Sequence, residues 1–197
     1  LRAFASPEED EARREPMACY PTIVLGQVML EWNEREQAAH YLAEGIRLAE
    51  STTTERPLLN EGYCAMAKLH TLNGDAAHAQ AFIRRAEATH DRWMPDSDDV
   101  PAHRARLWLL QARRTGDPTT LHQAIAWADA NPIEGGDAYN PAWLTQIQIR
   151  IDQHRATGVP DLGPFLTQLA AQFPAAEAEN HLRWQIEGLT LKALALQ

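Results

Sequence analysis

A helix-breaking turn returns along this chain at a fixed interval. Gly74-Asp75 separates two helix-forming runs in KLHTLNGDAAHAQAFIRRAEA (68–88), and the break recurs at Gly116-Asp117 in RTGDPTT and at Gly158 in RATGVPD, in two equal steps of 42. Asn33 in LEWNEREQAA stands one such step before Gly74, short by a single position, and Asn, like Gly, tolerates the left-handed backbone with which a helix commonly ends. The C-terminal run gives an independent measure. EGLTLKALALQ begins at Glu187 and EGYCAMAKLHTL at Glu61, an offset of 126, which is three times 42. A chain with such a period is a stack of like units, each neighbour covering an apolar face that no single unit can bury.

Within a unit the pattern is that of two antiparallel helices. Tyr63, Met66, Ala67 and His70 fall at i, i+3, i+4 and i+7 on a first helix, and Ala79, Ile83 and Ala86 line one face of a second. Small residues let the two backbones approach, at Gly26, Ala38 and Gly45 in the first unit and at Ala128 in the third. Pro118 suits the first turn of its helix. Loops rich in Pro, Gly, Ser and Asp (STTTERP, RWMPDSDD, NPIEGGDAYNP) mark boundaries, giving units at approximately 19–57, 58–98, 99–137 and 138–174 with a partial unit at 175–197. The last segment reads as the first helix of a fifth unit whose turn would fall beyond the last residue, so the chain is expected to be a piece of a longer protein.

Composition agrees with this and excludes several functions. Ala, Leu and Gln are abundant and Val and Ile sparse, which favours helix over strand, and 45% apolar with 23% charged residues is ordinary for a folded domain. A net charge of −9 argues against direct contact with nucleic acid. Cys19 and Cys64 belong to no metal-type spacing and are expected to be free thiols in a reducing, cytoplasmic setting. No window approaches about eighteen consecutive apolar residues, so no membrane partner is expected. Ser6, Ser51 and Ser97 lie in tail or loops without a nucleophile elbow, and no Gly-x-x-x-x-Gly-Lys-Ser/Thr loop occurs. No enzyme and no cofactor are expected. His70 and His78 bracket a turn, but counting His and Cys alone leaves only Cys64 as a further ligand nearby, so no metal is expected either.

These spacings resemble the tetratricopeptide repeat, whose ordinary period of about 34 is here lengthened by roughly eight. The fold class expected is all-α, a right-handed α-α superhelix of tetratricopeptide-like hairpins with a period of about 41–42 residues, forming a single array over 1–197. LEWNEREQAAHYLAEGIRLAE (30–50), AFIRRAEA (81–88), HRARLWLLQARRTGD (103–117), AIAWADA (124–130), NPAWLTQIQIRI (140–151) and IEGLTLKALALQ (186–197) resemble, in that order, the sensor region of MalT-like, LuxR-type transcriptional regulators. The resemblance spans roughly residues 14–197. It implies an ATPase domain and a helix-turn-helix elsewhere in the full protein, self-association of that protein, and a role for this segment in sensing an effector or partner.

The resemblance also places the first helix of each pair on a concave, ligand-facing surface. The residues this assigns there are Gln27, Cys64, Lys68, Arg106, Leu110, Arg113, Gln148, Asp152 and Arg155, with the polar ones as the candidate binding set. Several are cationic, which suits an anionic effector or an acidic peptide. Against this, Arg106, Arg113 and Arg155 would serve equally well as partners of acidic neighbours. Among the six tryptophans, Trp108, Trp127 and Trp143 fall at packing positions, and Trp93 is the one expected in the open. The alternative function is a scaffold that clamps a protein or peptide without a small-molecule effector. Ile23 and Gln27 stand where acidic-peptide clamps carry Lys and Asn, which weighs against it.

Overall fold

The computed structural model describes residues 7–51, 56–93, 99–132, 141–178 and 182–196. Among them lie nine helices and no strand, in the order α1 (Pro7–Glu31), α2 (Arg35–Glu50), α3 (Arg56–Leu72), α4 (Ala76–Trp93), α5 (Asp99–Thr115), α6 (Pro118–Ala130), α7 (Pro141–Thr157), α8 (Gly163–Ala178) and α9 (Leu182–Ala195). The fold is all-α and tetratricopeptide-like. It divides into two compact units, Leu1–Val100 and Pro101–Gln197. The boundary loops named above lie largely outside the described residues.

The periodic turns are the left-handed positions expected. Asn33 (φ 63°), Gly74 (81°), Gly116 (69°) and Gly158 (75°) are the positive-φ residues of the described chain. They close their helices in two ways. In the unit 1–100 the amides of Asn33 and Gly74 bond to the carbonyls of Leu30 and Thr71, and those of Glu34 and Asp75 reach back to Met29 and His70, the paired bonds of a Schellman motif. In the unit 101–197 the amides of Gly116 and Gly158 make single bonds to Ala112 and His154. There the next amides, of Asp117 and Val159, bond to the hydroxyls of Thr115 and Thr157 instead. A threonine before the glycine thus takes the place of the second backbone bond. Asp117 then caps α6 by accepting from the amide of Thr119, with Pro118 in the first turn.

Close helix crossings set the core of the unit 1–100. An added Cβ at Gly26 would lie 2.7 Å from Leu42 Cγ, at Gly45 2.6 Å from Ile23 Cγ1, and at Gly62 2.8 Å from Ile46 Cγ1. Ile23, Leu42 and Ala65 form one buried cluster; Leu30, Ala38 and Leu69 form the next. Ala67, Ala79, Ile83 and Ala86 are buried as their spacing predicts. Arg35, at the start of α2, ties two turns together, donating from Nε to Asn33 Oδ1 and from Nη1 to the carbonyl of Leu72.

In the unit 101–197, Ala105 and Leu109 of α5 meet Ala124 and Ala128 of α6 and Ile149 of α7. Trp143, Leu144, Ile147 and Ile151 of α7 meet Leu162, Leu169 and Ala176 of α8 and Leu191 of α9. Gly188 of α9 faces Phe173 of α8, as Gly62 of α3 faces Ile46 of α2. The offset of three periods read from the sequence therefore pairs two residues with one task. Trp143 is buried and Trp108 and Trp127 pack against the α5–α6 core. Among the tryptophans whose side chains are described, Trp32, not singled out in the sequence, is the exposed one; the side chains of Trp93 and Trp184 lie outside the described residues.

Candidate functional site

The polar face of the first helices carries the candidate residues, and most of them hold the neighbouring first helix. In the unit 1–100, Gln27 is half-buried on α1, and Lys68 of α3 pairs with Glu31 of α1 at 2.7 Å. Cys64 lies beneath this face, a buried thiol outside any disulfide, as is Cys19.

In the unit 101–197 the links are denser. Arg113 of α5 grips Asp152 of α7 with both branches, Nε to Oδ2 at 2.5 Å and Nη2 to Oδ1 at 3.1 Å. Arg155 stands one period after Arg113 and reaches the equivalent place on the next first helix, donating to the carbonyl of Leu194 on α9 at 2.6 Å. Arg106 spans further, from Nε to the hydroxyl of Thr145 on α7 at 3.1 Å and from Nη2 to Glu187 on α9 at 3.0 Å. A side chain on α5 that bonds to both α7 and α9 requires the three helices to converge on one polar face. Gln148 and Leu110 are half-buried on the same helices. The structure therefore brings Arg106, Arg113, Asp152 and Arg155 together in one unit, with each cation engaged. They make struts between repeats rather than a row of unpaired positive charge. With Asp152 at 12% exposure, its pair with Arg113 is shielded on the carboxylate side.

A second constellation escaped the sequence reading. Asp75 caps α4 by accepting the amide of His78 on Oδ1 at 3.1 Å. Its Oδ2 faces Nδ1 of His78 at 2.7 Å and Nδ1 of His70 at 3.3 Å. The His78 amide, with the imidazoles of His78 and His70 adding to it, holds the Asp75 carboxyl below its usual range against its partial burial. His70 stacks against His78, centroids 5.1 Å apart, and against Phe82 at 5.4 Å. The stack continues along the hairpin: Phe82 meets Tyr63, the Arg85 guanidinium lies 4.5 Å from the Tyr63 ring centre, and Glu50 accepts from both Arg85 and the Tyr63 hydroxyl. Burial, then the carboxylate of Glu50, pushes the Tyr63 phenol up to about 12. A count limited to His and Cys passes over Asp75; admitting carboxylates across the turn, at the spacing His-x4-Asp-x2-His, would have found it.

The Ser51 hydroxyl closes α2 by donating to the carbonyl of Leu48, and Ser6 and Ser97 lie outside the described residues. Asn60 is buried on α3 with neither side-chain atom hydrogen-bonded. None of the described helices is long and apolar enough to cross a membrane.

Set beside known proteins, the chain matches the family model of the MalT-like TPR region over residues 2–197. No curated protein and no solved structure matches it.

Proposed function

The chain belongs to the family of MalT-like tetratricopeptide regions, and on that footing we propose that it is the sensing repeat domain of a LuxR-type regulator of the MalT kind. It binds an effector or a protein partner on the polar face of its first helices and passes that event to ATPase and DNA-binding domains outside this chain. In this reading the segment is cytoplasmic, non-catalytic, free of nucleic-acid and membrane contact, and binds through Gln27, Lys68, Arg106, Arg113, Gln148, Asp152 and Arg155.

One observation carries the reading: the bonds of Arg106, Arg113 and Arg155 run between repeats, not within them. A ligand with carboxylate, phosphate or hydroxyl groups can take over such a bond, because its acceptors compete directly with Asp152, Glu187 or the Leu194 carbonyl. Exchanging a strut for a ligand alters what holds adjacent first helices together, and so favours one packing of neighbouring repeats over another. A ligand that bound within a single hairpin would have no such leverage.

The test is a thermal-shift screen of the chain against small effectors and acidic peptides, followed by the Arg106→Ala plus Arg113→Ala variant in the full-length regulator. The expected result is a ligand-dependent shift that the double variant loses, with an altered activation response. An activation response unchanged by the double variant overturns the reading. A response to a protein partner alone would return the function to that of a scaffold.

A further inference from the structure

The turn between α3 and α4 carries two histidines that the repeat does not need. One period further on, the places of His70 and His78 are filled by Ala112 and Thr120, while Asp117 keeps the capping role of Asp75 and that turn closes without either imidazole. What the fold requires of the turn is thus the left-handed glycine and the cap. The imidazoles are an addition.

Their arrangement is that of ligands. Among the described residues this is the one place where three His, Cys, Asp or Glu ligand atoms lie within 4.8 Å of one another. The cap bond occupies Asp75 Oδ1 and leaves Oδ2 facing both rings. His70 stacks on the Phe82 ring and is the less exposed of the two histidines, so its ring is oriented before any ligand arrives. The 3.3 Å between Oδ2 and His70 Nδ1 equals the about 3.3 Å that separates ligands placed around a tetrahedral ion at about 2.0 Å, and the 2.7 Å to His78 Nδ1 is a hydrogen bond that the exposed His78 ring opens by about 0.6 Å when an ion replaces the proton. His78 is exposed, which leaves the outer side open to water.

The geometry points to a site for one borderline divalent cation of the zinc, cobalt or nickel kind, held by Nδ1 of His70, Nδ1 of His78 and Oδ2 of Asp75, with water in the remaining positions. Two imidazole nitrogens and one carboxylate oxygen suit these ions; magnesium and calcium favour oxygen donors. Binding needs each neutral ring to carry its hydrogen on Nε2, leaving the Nδ1 lone pair for the metal, and any ring charged beforehand gives its extra proton to solvent. The ion joins the last turn of α3 to the first turn of α4. It therefore fastens the hairpin, at a place separate from the bonds between first helices.

The whole chain, free of any polyhistidine tag, is titrated with ZnCl2 by calorimetry and with CoCl2 by visible absorption, and melted with and without zinc. The expected result is one equivalent bound, a raised melting temperature, and no response to MgCl2. His70→Ala and His78→Thr introduce the residues of the next repeat, and Asp75→Asn keeps a capping oxygen, so the fold is retained, as far-UV circular dichroism without metal will report. Each of the three lowers zinc affinity by roughly tenfold or more, and the His70→Ala, His78→Thr pair abolishes the melting shift. Absence of stoichiometric zinc binding overturns the proposal. So does binding that these variants leave intact.

Discussion

Replacing Gly45 with alanine should loosen the α1–α2 hairpin. The new Cβ would lie 2.6 Å from Ile23 Cγ1, 2.9 Å from its amide nitrogen and 3.3 Å from its Cα. Ile23 is fully buried, so its side chain has little freedom to turn away. The backbone nitrogen has none. Bringing 2.9 Å to the 3.4 Å of ordinary contact requires the helices to part by about 0.5 Å, which opens the packing of Ile23, Leu42 and Ala65 along the crossing. Overpacking of this kind costs about 1–3 kcal/mol, and contact with backbone puts it near the upper end. Alanine in a helix interior returns about 1 kcal/mol. The net expectation is a loss of about 2 kcal/mol, read as a lower urea midpoint by far-UV circular dichroism. Gly188→Ala is the control, because its Cβ would meet only the Phe173 ring tip at 3.2 Å and Leu169 Cδ1 at 3.4 Å. It gains the same helix propensity and should fall between neutral and about 1 kcal/mol stabilising. The steric argument fails if Gly45→Ala is as stable as wild type or shifts together with Gly188→Ala.

Three further outcomes follow from the same contacts. Arg113→Ala should cost about 1–2 kcal/mol by leaving the shielded Asp152 carboxylate without its partner, and the Arg113→Ala, Asp152→Ala double variant should cost less than the sum of the two single changes in urea unfolding. Asn33→Ala should cost about 1 kcal/mol because its φ of 63° is left-handed, whereas Asn33→Gly should stay within about 0.5 kcal/mol of wild type; equal midpoints for the two would contradict the turn assignment. Tyr63 is an acid raised from 10.0 to about 12 in the fold, so its contribution is whole below pH 10 and declines as pH rises from 10 toward 12. Tyrosinate absorbance at 295 nm should then show one late-titrating phenol that Tyr63→Phe removes, together with a shallower alkaline loss of stability.

The turns were readable because a left-handed residue is a strict demand that Gly and Asn meet and most side chains do not. Asn33, Gly74, Gly116 and Gly158 could therefore be placed from spacing alone. The manner of closure was not readable from glycine positions, since it depends on whether the preceding residue is a threonine whose hydroxyl takes the next amide, as at Thr115 and Thr157. The polar face was readable as a set of positions but not as a set of bonds. Arg113 finds Asp152 39 residues away, and that pairing depends on the rotation of one repeat against the next, which no local pattern encodes. α1 begins at Pro7, ahead of the first unit as read from the sequence, because the repeat pattern locates crossings and turns but says little about where a helix starts.

The comparison of one repeat with the next separates what the fold needs from what function adds. Positions that keep their chemistry from one period to the next, such as the left-handed glycines and the caps Asp75 and Asp117, serve the hairpin. Positions that change chemistry at the same place are free of that demand: Leu110 becomes Asp152, Ala112 precedes His154 but follows His70, and Thr120 follows His78. The two sites argued above, the interrepeat arginine bonds and the His70–Asp75–His78 turn, draw on this second class for Asp152, His70 and His78. Exchanging His70 or His78 for its counterpart in the next repeat should change the stability of the metal-free chain little, within about 1 kcal/mol, since the exchanged residue already folds in that slot, whereas Asp152→Leu leaves Arg113 without its carboxylate and should cost about as much as Arg113→Ala. Exchange at His70 and His78 should remove zinc binding, and exchange at Asp152 should uncouple ligand binding at Arg113 from the packing of neighbouring repeats, since the ligand then has no bond there to displace. A set of exchanges that unfolded the chain instead would mean these residues belong to the hairpin after all, and both sites would reduce to packing.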